Sequence, residues 1–214
     1  EAALKVKLGP EKKKLQSDLE RKMTAYHEGG HTVLAHFLPN TDPVHRVSIV
    51  SRGRALGFTM TPPEQDKYQQ TQSELEEQIV VLLGGRTAEK QIFGELTGGA
   101  SSDIERATHI ARAMVVDYGM SPLGPMNFGP MYDMSDYGRS MNEPPRLSND
   151  LQAKVDKEII GVIDRATQKA ETLLKKYRKQ LDAVANKLLE VETIESDEID
   201  ALMGEKKTRN VSLS

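Results

Sequence analysis

Two histidines, His27 and His31, stand four residues apart in the stretch TAYHEGGHTVLAHFL over residues 24–38, with Glu28 directly after the first. On an α-helix, positions i and i+4 share one face a turn apart, so two imidazoles can hold one ion. Glu28 lies about 100° round the helix from His27, beside such an ion without having to bind it. This is the H-E-x-x-H arrangement, in which two neutral nitrogens bind zinc and a carboxylate takes a proton from water. A shuffled chain with 5 His and 19 Glu among 214 residues shows the pattern in roughly one case in a hundred.

The same stretch carries Gly29 and Gly30, each costing about 1 kcal/mol against alanine inside a helix. Such a cost is understandable if something must approach the backbone closely there. Glu28-x-x-His31 is also half of a di-iron carboxylate pattern, but the chain has no second Glu-x-x-His. A two-His, one-carboxylate iron site leaves Glu28 without a task.

A third ligand must come from the remaining His, Asp and Glu, because the chain has no cysteine. His36 sits about 140° round the helix from His31 and about 180° from His27, so it faces away. His45 and His109 read as surface or packing residues. Two carboxylates remain, Glu89 in LLGGRTAEK and Asp103 in LTGGASSDIERATHIARAMV. Spacing leaves both open. It leans to Asp103, which the flexible glycines before it can aim, whereas Glu89 reads equally well as a solvated helix residue.

The elements that position these residues are mostly helical. Ser17-x-x-Glu20 is a capping box that opens a helix through Met23, Tyr26, Val33, Leu34 and Phe37, with Leu19 on the same stripe, and Pro39-Asn40 ends it. VHRVSIVSRGRALGFTM alternates Val47 and Ile49, turns at Arg52-Gly53 and resumes through Leu56 and Phe58, which predicts a short hairpin. Capping boxes at Ser73–Glu76 and Ser102–Glu105 predict two further helices, the second closed by Gly119. Residues 121–147 have no period and predict a long irregular loop. From Ser148 to about Val191 the apolar step is three or four, too long for one globular helix, so a break is expected at Tyr177 to Lys179. TIESDEIDALM predicts a short final helix before a polar tail.

Composition bounds the answer further. Hydrophobic residues make up 37%, charged residues 29% and aromatic residues 5%, with no Trp, which suits a helix-rich domain. A net charge of -3 provides no field to hold nucleic acid. The longest apolar run, IVVLL at 79–83, is far short of a membrane span, so the chain as given is expected to be soluble. Its start at Glu1 without methionine suggests a piece excised from a longer protein.

Beyond the two histidines, LGPEKK at 8–13, AYHEGGH, VHRVSIVSRGRALGFT, LLGGRTAE, LTGGASSDIERATHIARAMV and YGMSPLGP occur in one order through most of residues 8–125. In these motifs the chain resembles the protease domain of FtsH-type membrane-anchored, ATP-dependent zinc metalloproteases. The resemblance implies a mainly α, zincin-like α+β domain with a small hairpin and long C-terminal helices. It implies Zn2+ held by His27, His31 and Asp103, with Glu28 as general base. Residues 1–13 would be a linker remnant from an ATPase module, 14–204 the protease domain and 205–214 a flexible tail. No G-x-x-x-x-G-K-[ST] loop occurs in the sequence, so ATP and Mg2+ would act only through that absent module.

The family pattern further implies a homo-hexamer whose ATPase ring feeds unfolded polypeptides and membrane-protein substrates to the zinc sites. The full-length protein would be membrane-anchored, with this domain on the cytoplasmic side or its organellar equivalent. One departure stands out: the family usually has alanine at the position of Gly29, and glycine there should loosen the metal helix. The strand edge at Gly57 and Phe58 is a candidate place for substrate to add as a strand. The competing readings are an ATP-independent zinc peptidase and a catalytically idle module in which zinc pins two helices.

Overall fold

The computed structural model describes residues 17–51, 56–62, 69–129, 147–204 and 206. The anticipated linker at 1–13, the turn at Arg52-Gly53, most of the 121–147 loop and nearly all of the tail lie outside them. The described elements are α1 (Asp18–Phe37), β1 (Arg46–Ser48), β2 (Phe58–Met60), α2 (Gln72–Leu82), α3 (Gly84–Phe93), a 3-10 turn (Gly98–Ala100), α4 (Ser101–Val116), α5 (Asn149–Lys176), α6 (Arg178–Val191), β3 (Thr193–Glu195) and α7 (Ser196–Met203). The fold is mainly α with one small antiparallel sheet, as the residues imply. Among the described residues no helix is long and apolar enough to cross a membrane.

Helix α1 begins where its capping box requires. Ser17 accepts the Glu20 amide, and the Glu20 side chain accepts the Ser17 amide at 2.8 Å. From Thr24 to His36 nearly every side chain is buried, so α1 is a central helix flanked chiefly by α3 and α6. Leu19, placed on the apolar stripe by its spacing, is exposed because it lies in the first turn before the core closes. The α1–α3 contact is made through glycine. A Cβ on Gly30 would lie 2.5 Å from the Gly84 carbonyl oxygen, and one on Gly84 would lie 2.9 Å from the Gly30 carbonyl oxygen. The two backbones pack directly against each other, and this is the close approach that a costly helical glycine suggested.

Several boundaries differ from the sequence reading. Helix α2 is capped by the Thr71–Glu74 box rather than Ser73–Glu76, because Thr71 takes the extended backbone that an N-cap needs. Ser102 lies inside α4, which starts through the 3-10 turn; there the Thr97 side chain accepts the Gly99 amide. Gly119 adopts a φ of 62° just beyond α4. Helices α5 and α6 break at Tyr177, whose ring stacks on Phe37 of α1 at 3.7 Å. Residues 193–195, expected within a final helical segment, instead form β3: Glu192 at φ 62° ends α6, and Ile194 is buried beside β1. Among the described residues the sheet order is β2-β1-β3, which leaves β2 as an edge.

The two helical glycines predict opposite outcomes. A Cβ at Gly29 meets the Leu181 Cδ1 at 3.2 Å, the movable end of a side chain. Gly29→Ala should therefore stabilise the fold by up to about 1 kcal/mol, raising Tm by about 2–4 °C. Gly30→Ala drives a methyl into the backbone of α3 and should cost about 1–3 kcal/mol. Thermal unfolding of the two variants beside the parent checks both; a Gly29→Ala protein less stable than the parent would mean that Leu181 cannot give way.

Candidate metal centre

Each histidine of the pair is oriented from its far side. His31 Nδ1 lies 2.7 Å from the Val81 carbonyl oxygen, which can only accept, so Nδ1 carries a hydrogen and Nε2 is aimed inward. His27 Nδ1 lies 2.7 Å from Oε1 of Glu89, which is 2% exposed. The Glu89 carboxylate also accepts the Thr97 amide at 3.0 Å and the Thr97 hydroxyl at 3.0 Å. A Cβ on Gly85 would sit 2.5 Å from the His27 ring, so the absence of a side chain there makes room for the imidazole.

Oriented in this way, the two Nε2 atoms lie 3.1 Å apart. Each is 3.5 Å from Oδ2 of Asp103, and the three donor atoms form a cluster within 4.8 Å. Nitrogen lone pairs and a carboxylate oxygen at such range repel one another unless a cation or a proton lies among them. Two imidazoles and one carboxylate are the donor set of a catalytic zinc site that keeps a position open, and the residues present fit that ion. Asp103 arrives from the first turn of α4, and the turn before it is capped by the same Thr97 that grips Glu89.

The charges are strongly coupled. Burial alone would lower the His27 pKa, but hydrogen bonds to Asp103 and Glu89 and the charge of Glu28 outweigh it and raise it to about 10. Burial likewise pushes the Asp103 carboxyl up; hydrogen bonds from His27 and His31 override it and hold the group well below the usual carboxylate range. Glu89 shows the same contest, with burial outweighed by its His27 and Thr97 bonds, and its pKa is lowered.

Glu28 is buried, and its Oε2 accepts the Thr59 hydroxyl at 2.7 Å. It lines one cleft of about 980 Å³ together with His27, His31, Asp103, Gly57 and Phe58. The cleft therefore brings together the six residues expected to act there, His27, Glu28, His31, Gly57, Phe58 and Asp103. Of the two competing carboxylates, Asp103 joins the donor cluster and Glu89 takes the far nitrogen of His27. His36 is buried on the opposite side of α1, and His45 and His109 are exposed. Sequence reasoning assigned no role to Thr97 or Thr59 at the site. Threonines this common carry no motif, and only the TGG junction before α4 hinted at the first.

The sequence model of the family described as Peptidase family M41 matches residues 14–202. The chain is 44% identical over 216 residues to a protein of Thermoanaerobacter sp. named ATP-dependent zinc metalloprotease FtsH 1, covering 100% of this chain and 35% of that protein. It is 44% identical over 211 residues to the protein of that name from Sphaerobacter thermophilus, covering 98% and 32%. To the ATP-dependent zinc metalloprotease FtsH of Thermotoga maritima it is 44% identical over 209 residues, covering 96% and 34%. The chain thus spans about a third of the length of the curated relatives it matches.

A metal entering the donor cluster must displace the proton that the raised His27 holds. Since that proton leaves only near pH 10, apparent zinc affinity should rise about tenfold per pH unit between pH 7 and 9. Competition with a chromophoric chelator measures it; an affinity flat across that range would contradict the coupling. Glu89→Gln, which removes the charge behind His27, should weaken zinc binding about 10- to 100-fold in the same assay.

Proposed function

The chain belongs to peptidase family M41, and on that premise we propose that it is the zinc endopeptidase part of an FtsH-like ATP-dependent protease. The observation that carries this reading is the convergence of His27, His31 and Asp103 beside the buried carboxylate of Glu28, all facing one cleft. His27 Nε2, His31 Nε2 and the Asp103 carboxylate would hold the ion. Zinc held there supplies a Lewis acid that polarises a scissile carbonyl and acidifies water.

The chain's own residues do the remaining work. Glu28 takes the proton of the attacking water and delivers it to the leaving amine nitrogen. Glu89 and the Val81 carbonyl keep both imidazoles in one tautomer and one orientation, so that the donors are arranged before substrate arrives. The edge strand β2, with Phe58 at its start and Gly57 just before it, takes the substrate backbone as an added strand, which gives affinity with loose sequence preference. Among the described residues the donor cluster has three members with the cleft open beside it, which argues against the idle-module alternative, since a structural zinc is closed by four protein ligands.

ATP handling falls to the two thirds of such a protein that lie outside this chain, and the relatives' name, ATP-dependent, supports that division. On the same reading an ATPase ring threads unfolded and membrane-protein substrates into a membrane-anchored homo-hexamer.

Glu28→Gln keeps the shape of the side chain and removes its basicity. Zinc content should stay near one ion per chain, while cleavage of an unfolded polypeptide falls about 10²- to 10⁴-fold. Elemental analysis and a quenched-peptide assay on the same preparation test both, and a Glu28→Gln protein that still cleaves at the parental rate rules this mechanism out.

A further inference from the structure

The edge strand and the general base meet at a single residue. Thr59 is the middle of β2, opposite Val47 of β1. Its hydroxyl donates to Oε2 of Glu28 at 2.7 Å, while Gly57, on the same face of the strand, leaves only enough space for the other oxygen: a Cβ there would lie 2.8 Å from Oε1. The Glu28 carboxylate is thus seated against β2, bonded at Oε2 and closely packed at Oε1.

The direction of the Thr59 backbone follows from the ladder. Ile49 N donates to the Glu192 carbonyl at 3.0 Å, on the β3 side of β1. Backbone groups alternate in direction along a strand, so Val47 also faces β3, while Arg46 and Ser48 face β2. Their partners Met60 and Phe58 then face β1, in keeping with the 2.9 Å bond from His45 N to the Met60 carbonyl. The Thr59 amide and carbonyl consequently point the other way, to the open edge where no described strand lies.

From this geometry we infer that Thr59 is a positioning residue that couples substrate docking to the base: its backbone pairs with the substrate strand while its hydroxyl holds Glu28. A chain bound along β2 fixes the Thr59 peptide units, and the short β-branched side chain passes that order to the carboxylate. The inference rests on the reading of Glu28 as the base and of β2 as the substrate edge. It adds the residue that joins them, and it touches none of the ion's donors.

The test compares Thr59→Val, which keeps shape and backbone but lacks the hydroxyl, with Thr59→Ser, which restores it. In the zinc-loaded protein, Thr59→Val should lower kcat for a quenched peptide about tenfold or more with KM and zinc content unchanged, and Thr59→Ser should stay within about twofold of the parent. A purely packing role would move stability instead, and serine would not rescue it. Parental kcat in Thr59→Val, or a loss that serine does not repair, overturns the inference. A second measurement avoids substitution at Thr59. In zinc-loaded Glu28→Gln protein, exchange of the Thr59 amide should slow when an uncleaved unfolded peptide binds, and unchanged exchange at saturating peptide refutes the docking half. Should Glu28→Gln itself cleave normally, the base reading falls; should it be inactive while Thr59→Val is not impaired, only the present inference falls.

Discussion

The direct backbone contact between α1 and α3 at Gly30 and Gly84 is the constraint on which the site depends. With a carbonyl oxygen of each helix where the other's side chain would be, the two axes come closer than any larger residue would permit. That approach puts the next glycine, Gly85, under the His27 ring, and puts Glu89, a little over one turn later on α3, at hydrogen-bond distance from His27 Nδ1. Widening the contact by one methyl would carry Glu89 and the His27 notch away together. Gly29 has a different neighbour: it faces Leu181 on α6, where an alanine fits after a small adjustment. The two adjacent glycines therefore have separate explanations, one required by backbone contact and the other merely tolerated.

Electrostatics explains why the second layer is arranged as it is. Glu28, Glu89 and Asp103 surround two imidazoles in a cleft largely removed from solvent, an excess of negative charge that burial penalises. Each carboxylate is stabilised by a donor from a different element: Thr59 for Glu28, Thr97 for Glu89 and the histidines for Asp103. A divalent ion compensates the same excess more fully than one proton does, so the network that raises the His27 pKa also favours the metal.

What was legible in the sequence was whatever has a short-range signature. The His27–His31 pair, the Ser17 cap and the break at Tyr177 follow from helical spacing and capping chemistry, and all are local. Asp103 lies some seventy residues from the pair, and the local arguments only leaned to it over Glu89. Family resemblance chose between them, and the fold gives both a place: one carboxylate among the donors, the other behind a donor. Strand β3 was hidden because three residues carry too little pattern, and its extended state is set by pairing with β1 across the chain. The earlier cap of α2 was missed for a simpler reason, since Thr71 and Ser73 both precede a Glu at the right distance and only the backbone tells them apart.

The C-terminal third is as much a part of the site as the motif-bearing helices. Helix α6 covers a second face of α1 beside α3, with the Tyr26 hydroxyl donating to Asp182 at 2.9 Å, and just past its end Glu192 takes the Arg21 guanidinium at 2.8 Å. Strand β3 then completes the sheet from the far side of β1, and its Thr193 hydroxyl meets that of Ser48 at 2.7 Å. Beyond α7 the Lys206 ammonium returns to the end of α1, donating to the Ala35 carbonyl, to the Leu38 carbonyl at 2.9 Å and to the Thr41 hydroxyl at 2.8 Å, where a cation suits the helix dipole. Helix α1 is therefore held by α3 on one face, and on another face and at its last turn by segments more than 130 residues away in sequence. A metal helix weakened by two glycines keeps its donors in register because its rigidity is supplied by these neighbours, rather than by its own propensity.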